Sequence, residues 1–220
     1  MTEENGALEL ALRRSGTSLR ETTGPAARTA REAAEAAGRL TGRALDEGLL
    51  DVAYATLDSP FGPLLAASTE RGLLRLAFPE EGTEPVLARL AERISPRVLE
   101  SPARLEPLKR ELDEYFEGRR RLFQTPLDWS LIGPFGTKVL SATAAIPYGS
   151  VLTYTDVAGK AGSPRGSRAA GNALGSNPIP IVIPCHRVLR TGGALGGYAG
   201  GLDRKRRLLE LEGALTPSLG

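Results

Sequence analysis

The chain holds one cysteine and one histidine, and they are neighbours: Cys185 and His186 lie in NPIPIVIPCHRV, residues Asn177–Val188. A thiolate is the reactive form of cysteine, and a nearby imidazole or cation favours it. In a regular strand adjacent side chains face opposite ways, so communication between these two needs a turn or an intervening water. Arg187 adds positive charge beside them. Ile179, Ile181, Val182 and Ile183 form a short apolar run of the kind buried on both sides. Pro178, Pro180 and Pro184 exclude a helix and a central strand. The segment is predicted to be stiff, extended and buried, delivering Cys185 to a fixed place. The plainer alternative is a lone cysteine acting as a small core hydrophobe.

Downstream, TGGALGGYAGGL (191–202) carries six glycines in twelve residues. Such a loop admits close backbone approach or offers N–H groups to an anion, and Tyr198 within it could stack on a flat ring. It lacks the Walker A ending and the strand–GxGxxG–helix context of a dinucleotide site, and the alternative is a surface loop. Leu202–Glu212 reads as a helix closed by Gly213. Glu212 then sits where the helix dipole disfavours an anion, which calls for a partner, His186 or an arginine. Upstream, 152–161 and 163–175 read as two short helices joined by a tight turn, with Ser163 as N-cap and Pro164 at the first helical position. The second is lined with Gly166, Ser167, Ala169, Ala170, Gly171 and Ala173, with Arg165 and Arg168 projecting. A small-faced helix bearing arginines can sink against a phosphate backbone or into a minor groove; the alternative is tight helix packing.

The elements around these residues divide the chain. Residues 1–48 form a polar Ala/Arg/Glu-rich extension, with a helix expected from Ala26 to Leu45. Within 49–125, DVAYATLD, PLLAAST and LLRLAF read as strands separated by turn signals. Apolar stripes at Pro85–Ile94 and Leu105–Phe116 read as helices. This is a small α/β domain. Residues 126–134 act as a connector, 135–213 as a mainly helical second domain, and 214–220 as a tail.

Charge separates the same parts. Lys160–Arg207 contains nine Lys or Arg and one acid, Asp203, for +8, while the remainder has 19 basic and 25 acidic residues, for −6. Such asymmetry around the only Cys and His points to an anionic partner, nucleic acid; a solvated basic face is the bland reading. No apolar run approaches the roughly 20 residues of a membrane span, and MTEENGALELALRR is unlike a secretory signal. One cysteine excludes an internal disulfide and fits a reducing, cytoplasmic setting. With one Cys and one His, a Cys/His zinc site is not expected, nor is any cofactor.

IPYG (146–149), TYTDVA (153–158), SRAAGNALGSNPIPIVIPCHRV (167–188), GGYAGGL (196–202) and RKRRLLELEG (204–213) together resemble the O6-alkylguanine-DNA alkyltransferase family, the methylated-DNA–protein-cysteine methyltransferases. The resemblance is strongest over about 133–213, covers 50–130 in general layout and hardly touches the first 48 residues. It implies a ribonuclease-H-like N-terminal sheet domain and a winged helix-turn-helix-like C-terminal domain. It further implies stoichiometric transfer of the alkyl group from O6-alkylguanine in double-stranded DNA to Cys185, with O4-alkylthymine as a second candidate substrate.

The roles it implies follow position by position. His186 takes the thiol proton through a water, Glu212 orients His186, Tyr154 donates a hydrogen bond to the departing guanine, and Asn177 bridges the helix-turn-helix and the active-site turn. Arg168 fills the gap left by the flipped base, Ala170 and Gly171 lie against the minor groove, and Arg165 adds a DNA contact. Tyr198, Gly197, Pro184 and Val188 line the guanine pocket. A monomer is implied. The chain departs from the family at Phe135-Gly136 and Leu140, where Phe-Gln and a Trp are usual. Two readings of the residues compete: a DNA-binding regulator using Cys185 as a redox or alkylation sensor, and a thiol hydrolase using Cys185, His186 and Glu212. Following a labelled methyl from O6-methylguanine DNA separates all three.

Overall fold

The computed structural model describes residues 50–216, so the expected Ala26–Leu45 helix lies outside the described residues. Three strands, β1 (Val52–Leu57), β2 (Leu64–Thr69) and β3 (Gly72–Ala77), form an antiparallel meander. A fourth, β4 (Val98–Glu100), returns parallel to β1 and gives the order β3-β2-β1-β4. Three residues without alternation carry too little pattern to be read from sequence. Helices α1 (Thr83–Arg93) and α2 (Pro102–Phe116) follow β3 and β4.

Strand periodicity sorts β2 between two apolar layers. Leu65 and Ala67 pack with Val86 and Leu90 of α1, whereas Leu64 and Ala66 join Leu105, Leu108, Leu112 and Tyr115 of α2. That second cluster continues without a break into the C-terminal half, through Val139, Leu140, Ile179, Ile183, Cys185 and Leu208. The free edge of β3 is also used. Leu73 N–H donates to Pro126 O at 2.7 Å and Asp128 N–H to Leu73 O at 2.8 Å, so part of the connector pairs along it. Further along the same strand, Leu76 N–H donates to Pro178 O at 2.9 Å.

The C-terminal half is mainly helical: α3 (Pro134–Ala144), α4 (Tyr154–Lys160), α5 (Ser167–Gly175) and α6 (Leu202–Leu211). A two-residue parallel pair, β5 (Leu152–Thr153) with β6 (Val188–Leu189), ties the start of α4 to the end of the cysteine segment. The helix read from residue 152 therefore begins at Tyr154, where Thr153 and Asp156 form a reciprocal capping box: Asp156 N–H to Thr153 Oγ1 at 3.2 Å and Thr153 N–H to Asp156 Oδ2 at 2.8 Å.

The expected Ser163 cap does not form. Gly166 N–H donates to Ser163 O at 2.7 Å, making Ser163–Gly166 a separate turn with Pro164 at its second position, and Gly166 becomes the N-cap of α5. At the other end of the domain Gly213 (φ +71°) closes α6 as predicted. Among the described residues no helix is long and apolar enough to cross a membrane.

Candidate active site

Every residue from Asn177 to Leu189 is buried, as the apolar run required. The segment is not extended. Val182 N–H donates to Pro180 O and Ile183 N–H to Ile179 O, both at 2.9 Å, and Ile181 takes φ +73°. Proline removes N–H donors and fixes φ but does not require a straight path, so the run closes into consecutive turns. Cys185–Arg187 is then a single 3₁₀ turn. That turn releases Cys185 and His186 from the opposite-face geometry of a strand.

Cys185 is 6% exposed and lines a cleft of about 800 Å³ together with Tyr154, Arg168, Gly171, Gly197 and Tyr198. Asn177 Nδ2 donates to Sγ at 3.1 Å and to Ile183 O at 2.9 Å. Burial pushes the thiol up to about 11. The Asn177 hydrogen bond, the charge of Lys205 and the backbone N–H groups of Cys185 and His186 pull the other way.

Glu212 is the hub behind this turn. Oε1 accepts from Tyr115 Oη at 2.6 Å, His186 Nε2 at 2.9 Å and Arg187 Nη2 at 2.9 Å; Oε2 accepts from Arg187 Nε at 2.8 Å. Burial works to raise this carboxyl, but the hydrogen bonds from His186, Arg187 and Tyr115 hold it at about 2. Arg187 also donates to Ile146 O at 2.5 Å and lies over the Tyr148 ring at 5.8 Å, which explains the IPYG stretch. Its Gly149 (φ +74°) passes so close that a Cβ would stand 2.9 Å from Glu212 O. A carboxylate that only accepts fixes the proton of His186 on Nε2. Nδ1 therefore carries a lone pair, and it has no protein partner. Burial lowers the His186 pKa, against the opposing pull of Glu212, so the ring is neutral near neutral pH. Tyr198 Oη is likewise buried without a protein partner, its ring 6.4 Å from that of His186.

The other expected residues divide. Tyr154 Oη donates to Gly197 O at 3.3 Å. Gly196 (φ +64°) lies so close that a Cβ would meet Tyr154 Oη at 2.9 Å, which gives the glycine-rich loop a packing reason. Arg165 and Arg168 are exposed, and Arg168 stands at the cleft. Three of the expected residues are buried and lie outside the cleft lining. Ala170 is 0% exposed and belongs to the core, so its methyl is spent on helix packing and presents nothing outward. Val188 is fully buried in β6, paired with Leu152. Pro184 is buried and borders a different cavity, with Tyr148, Val182 and Arg187.

Tyr115 and Lys205 also belong to the site, and neither stands out in the sequence as Cys185 and His186 do. Lys205 is 0% exposed and donates from Nζ to Val188 O at 2.6 Å and Gly197 O at 3.4 Å, tying the cysteine segment to the glycine-rich loop. Burial, partly offset by Cys185, lowers its pKa to about 8. A faint signal exists: Lys205 shares a helical face with Leu208, Leu209 and Glu212, yet the surrounding RKRR reads as solvated charge. Tyr115 lies on the apolar stripe of α2 in the other half of the chain, and nothing near it in sequence links it to Glu212.

The sequence matches two family descriptions: "6-O-methylguanine DNA methyltransferase, ribonuclease-like domain" over residues 52–129 and "6-O-methylguanine DNA methyltransferase, DNA binding domain" over residues 134–214. It is 39% identical over 166 residues to a methylated-DNA–protein-cysteine methyltransferase of Mycobacterium tuberculosis, covering 75% of this chain and 94% of that protein. With that of Methanosarcina acetivorans it is 38% identical over 165 residues, covering 73% and 98%. The fold matches the crystal structure of Mycobacterium tuberculosis OGT in complex with DNA at a TM-score of 0.64 and 36% identity, over 74% of this chain and 93% of that one. A mixed N-terminal sheet domain followed by a helical domain is common to both.

Proposed function

The chain belongs to the 6-O-methylguanine DNA methyltransferase family, and from that premise we propose how its own residues carry out the repair of alkylated DNA. It is a methylated-DNA–protein-cysteine methyltransferase: the alkyl group of O6-alkylguanine passes directly to the protein, and Cys185 is the acceptor. The observation that carries this assignment is a sulfur at a cleft wall, hydrogen-bonded by Asn177 and followed by a buried histidine whose Nε2 meets Glu212 and whose Nδ1 has no protein partner.

With the thiol held up to about 11, the proton must leave as the sulfur attacks. His186 Nδ1 takes it through a water, and the buried carboxylate of Glu212 stabilises the imidazolium that forms. The sulfur–carbon bond forms while the carbon–O6 bond breaks. The electron pair stays on the guanine, which takes up a proton in place of the one the thiol lost, and Tyr154 turns its O–H from Gly197 O to donate a hydrogen bond to it as it leaves. The product is a thioether, so no step restores the thiol and each molecule acts once.

A base must leave the stack before its O6 substituent can reach Cys185, at a cost of a few kcal/mol. Arg168, exposed at the cleft mouth, takes the space the base vacates, and the small face of α5 at Gly171 approaches the minor groove, with Arg165 on the phosphates. Tyr198 and Gly197 form the pocket wall against the purine. On this reading residues 135–213 are a winged helix-turn-helix-like unit holding DNA surface and acceptor. Residues 49–125 are a ribonuclease-H-like scaffold, and the protein acts as a monomer on DNA in the cytoplasm.

Mixing the full chain with an oligonucleotide bearing one O6-methylguanine tests the assignment. Intact mass should show one methyl in place of one hydrogen per chain, mapped by peptide mass to Cys185, with none for Cys185→Ser. Multiple turnovers, or a methyl on another residue, would remove it.

A further inference from the structure

The peptide unit between Pro178 and Ile179 is held from both ends. Its carbonyl oxygen accepts two hydrogen bonds from β3 of the N-terminal domain, from Leu76 N–H at 2.9 Å and from Arg75 Nη1 at 3.0 Å. Its N–H, on Ile179, donates to Asn177 Oδ1 at 3.0 Å. The amide nitrogen of that same Asn177 side chain donates to Cys185 Sγ at 3.1 Å. Arg75 is in turn ion-paired with Glu81, which follows β3 in a short 3₁₀ turn and also accepts from Phe78 N–H at 3.3 Å.

A peptide unit is planar, so fixing its carbonyl fixes its N–H. Each donor in such a chain is polarised by the one before it. The polarity runs one way throughout: guanidinium to carbonyl, N–H to side-chain carbonyl, side-chain N–H to sulfur. The geometry points to Arg75, a residue of the N-terminal domain outside the cleft lining, as a positioning residue for the transfer. It acts through the 178–179 peptide and Asn177 to orient a donor on Sγ and to favour the thiolate that attacks. This inference rests on the proposed role of Cys185. It gives the sheet domain a part in the chemistry beyond that of a scaffold.

The test uses the full chain with Arg75→Met, Arg75→Lys and Asn177→Ala, singly and combined. Two rates are read by intact mass: single-turnover methyl transfer from O6-methylguanine DNA at saturating protein, and carbamidomethylation of Cys185 by iodoacetamide at matched pH. Arg75→Met should slow both by about five- to tenfold without changing the protein concentration at half-saturation of DNA. Arg75→Lys, which keeps charge and one donor, should recover part of each rate. On the Asn177→Ala background, Arg75→Met should do little more, because the relay is already cut.

A merely structural arginine gives a different signature. Loosening the domain junction opens the cleft and leaves iodoacetamide reactivity equal or higher. That result, or a full Arg75 effect persisting without Asn177, overturns the relay. If Arg75→Met does not fold, Arg75→Lys against wild type decides by the same two rates. Should wild type fail to take the methyl at all, the functional assignment falls, while the iodoacetamide arm still judges the relay.

Discussion

Two arginine-bearing parts of the C-terminal domain treat charge in opposite ways. Arg187 is buried, its guanidinium committed to Glu212 and Ile146 O. Arg165 and Arg168 stand exposed on and beside a helix of small residues. The first arrangement takes charges out of water and must satisfy every donor and acceptor it buries. The second leaves its charge hydrated and free to meet a phosphate. One is built to hold a geometry, the other to be available. Arg187 belongs to the cysteine turn itself, and Arg168 lines the cleft onto which that turn opens.

The sharpest way to break that contrast is at the hub. Glu212→Gln keeps the shape but leaves Arg187 without its buried counter-charge, and should cost about 3–5 kcal/mol, read by urea unfolding followed through Trp129. A loss below about 1 kcal/mol would mean the hub is solvated rather than buried. The variant should also slow transfer, because the imidazolium that forms on His186 loses the carboxylate charge that stabilises it.

Acid should then dissect the same region. The folded pKa of His186 lies below its ordinary 6.5, so the unfolded chain binds that proton first and stability falls as pH drops below about 6.5. Glu212 is held at about 2 against an ordinary 4.5, so its contribution persists above about 4.5 and is lost between there and about 2. Unfolding free energy measured against pH should decline in these two stages. A curve flat from pH 7 to pH 5 would remove the buried neutral histidine.

The smallest effect on the fold belongs to the exposed side. Arg165→Ala with Arg168→Ala should leave the melting temperature unchanged, since neither side chain is buried. It should weaken DNA binding and make the slope of log affinity against log salt shallower by about 0.9 for each phosphate no longer neutralised. An unchanged slope would mean that neither arginine meets the backbone.

Much of this is legible along the chain. The three meander strands, α2, the closing Gly213 and the need of Glu212 for a partner follow from apolar period, turn residues and the helix dipole, which are properties of neighbouring residues. The sequence narrows that partner to His186 or an arginine because only local charge is visible in it. Both are present, and Tyr115, 97 residues away in sequence, completes the set.

What only the tertiary structure decided shares one physical cause: hydrogen bonds and burial across distant segments are not encoded in local period. Proline spacing announces a rigid, buried approach to Cys185 but cannot say that it coils through Ile181. Nor can it say that β3 holds the Pro178 carbonyl. Local pattern leaves both an inward and an outward placement open for Ala170 and Lys205, and only the packing turns them inward. The chain's composition and motifs set which sulfur reacts; the packing of one half against the other sets how that sulfur is held.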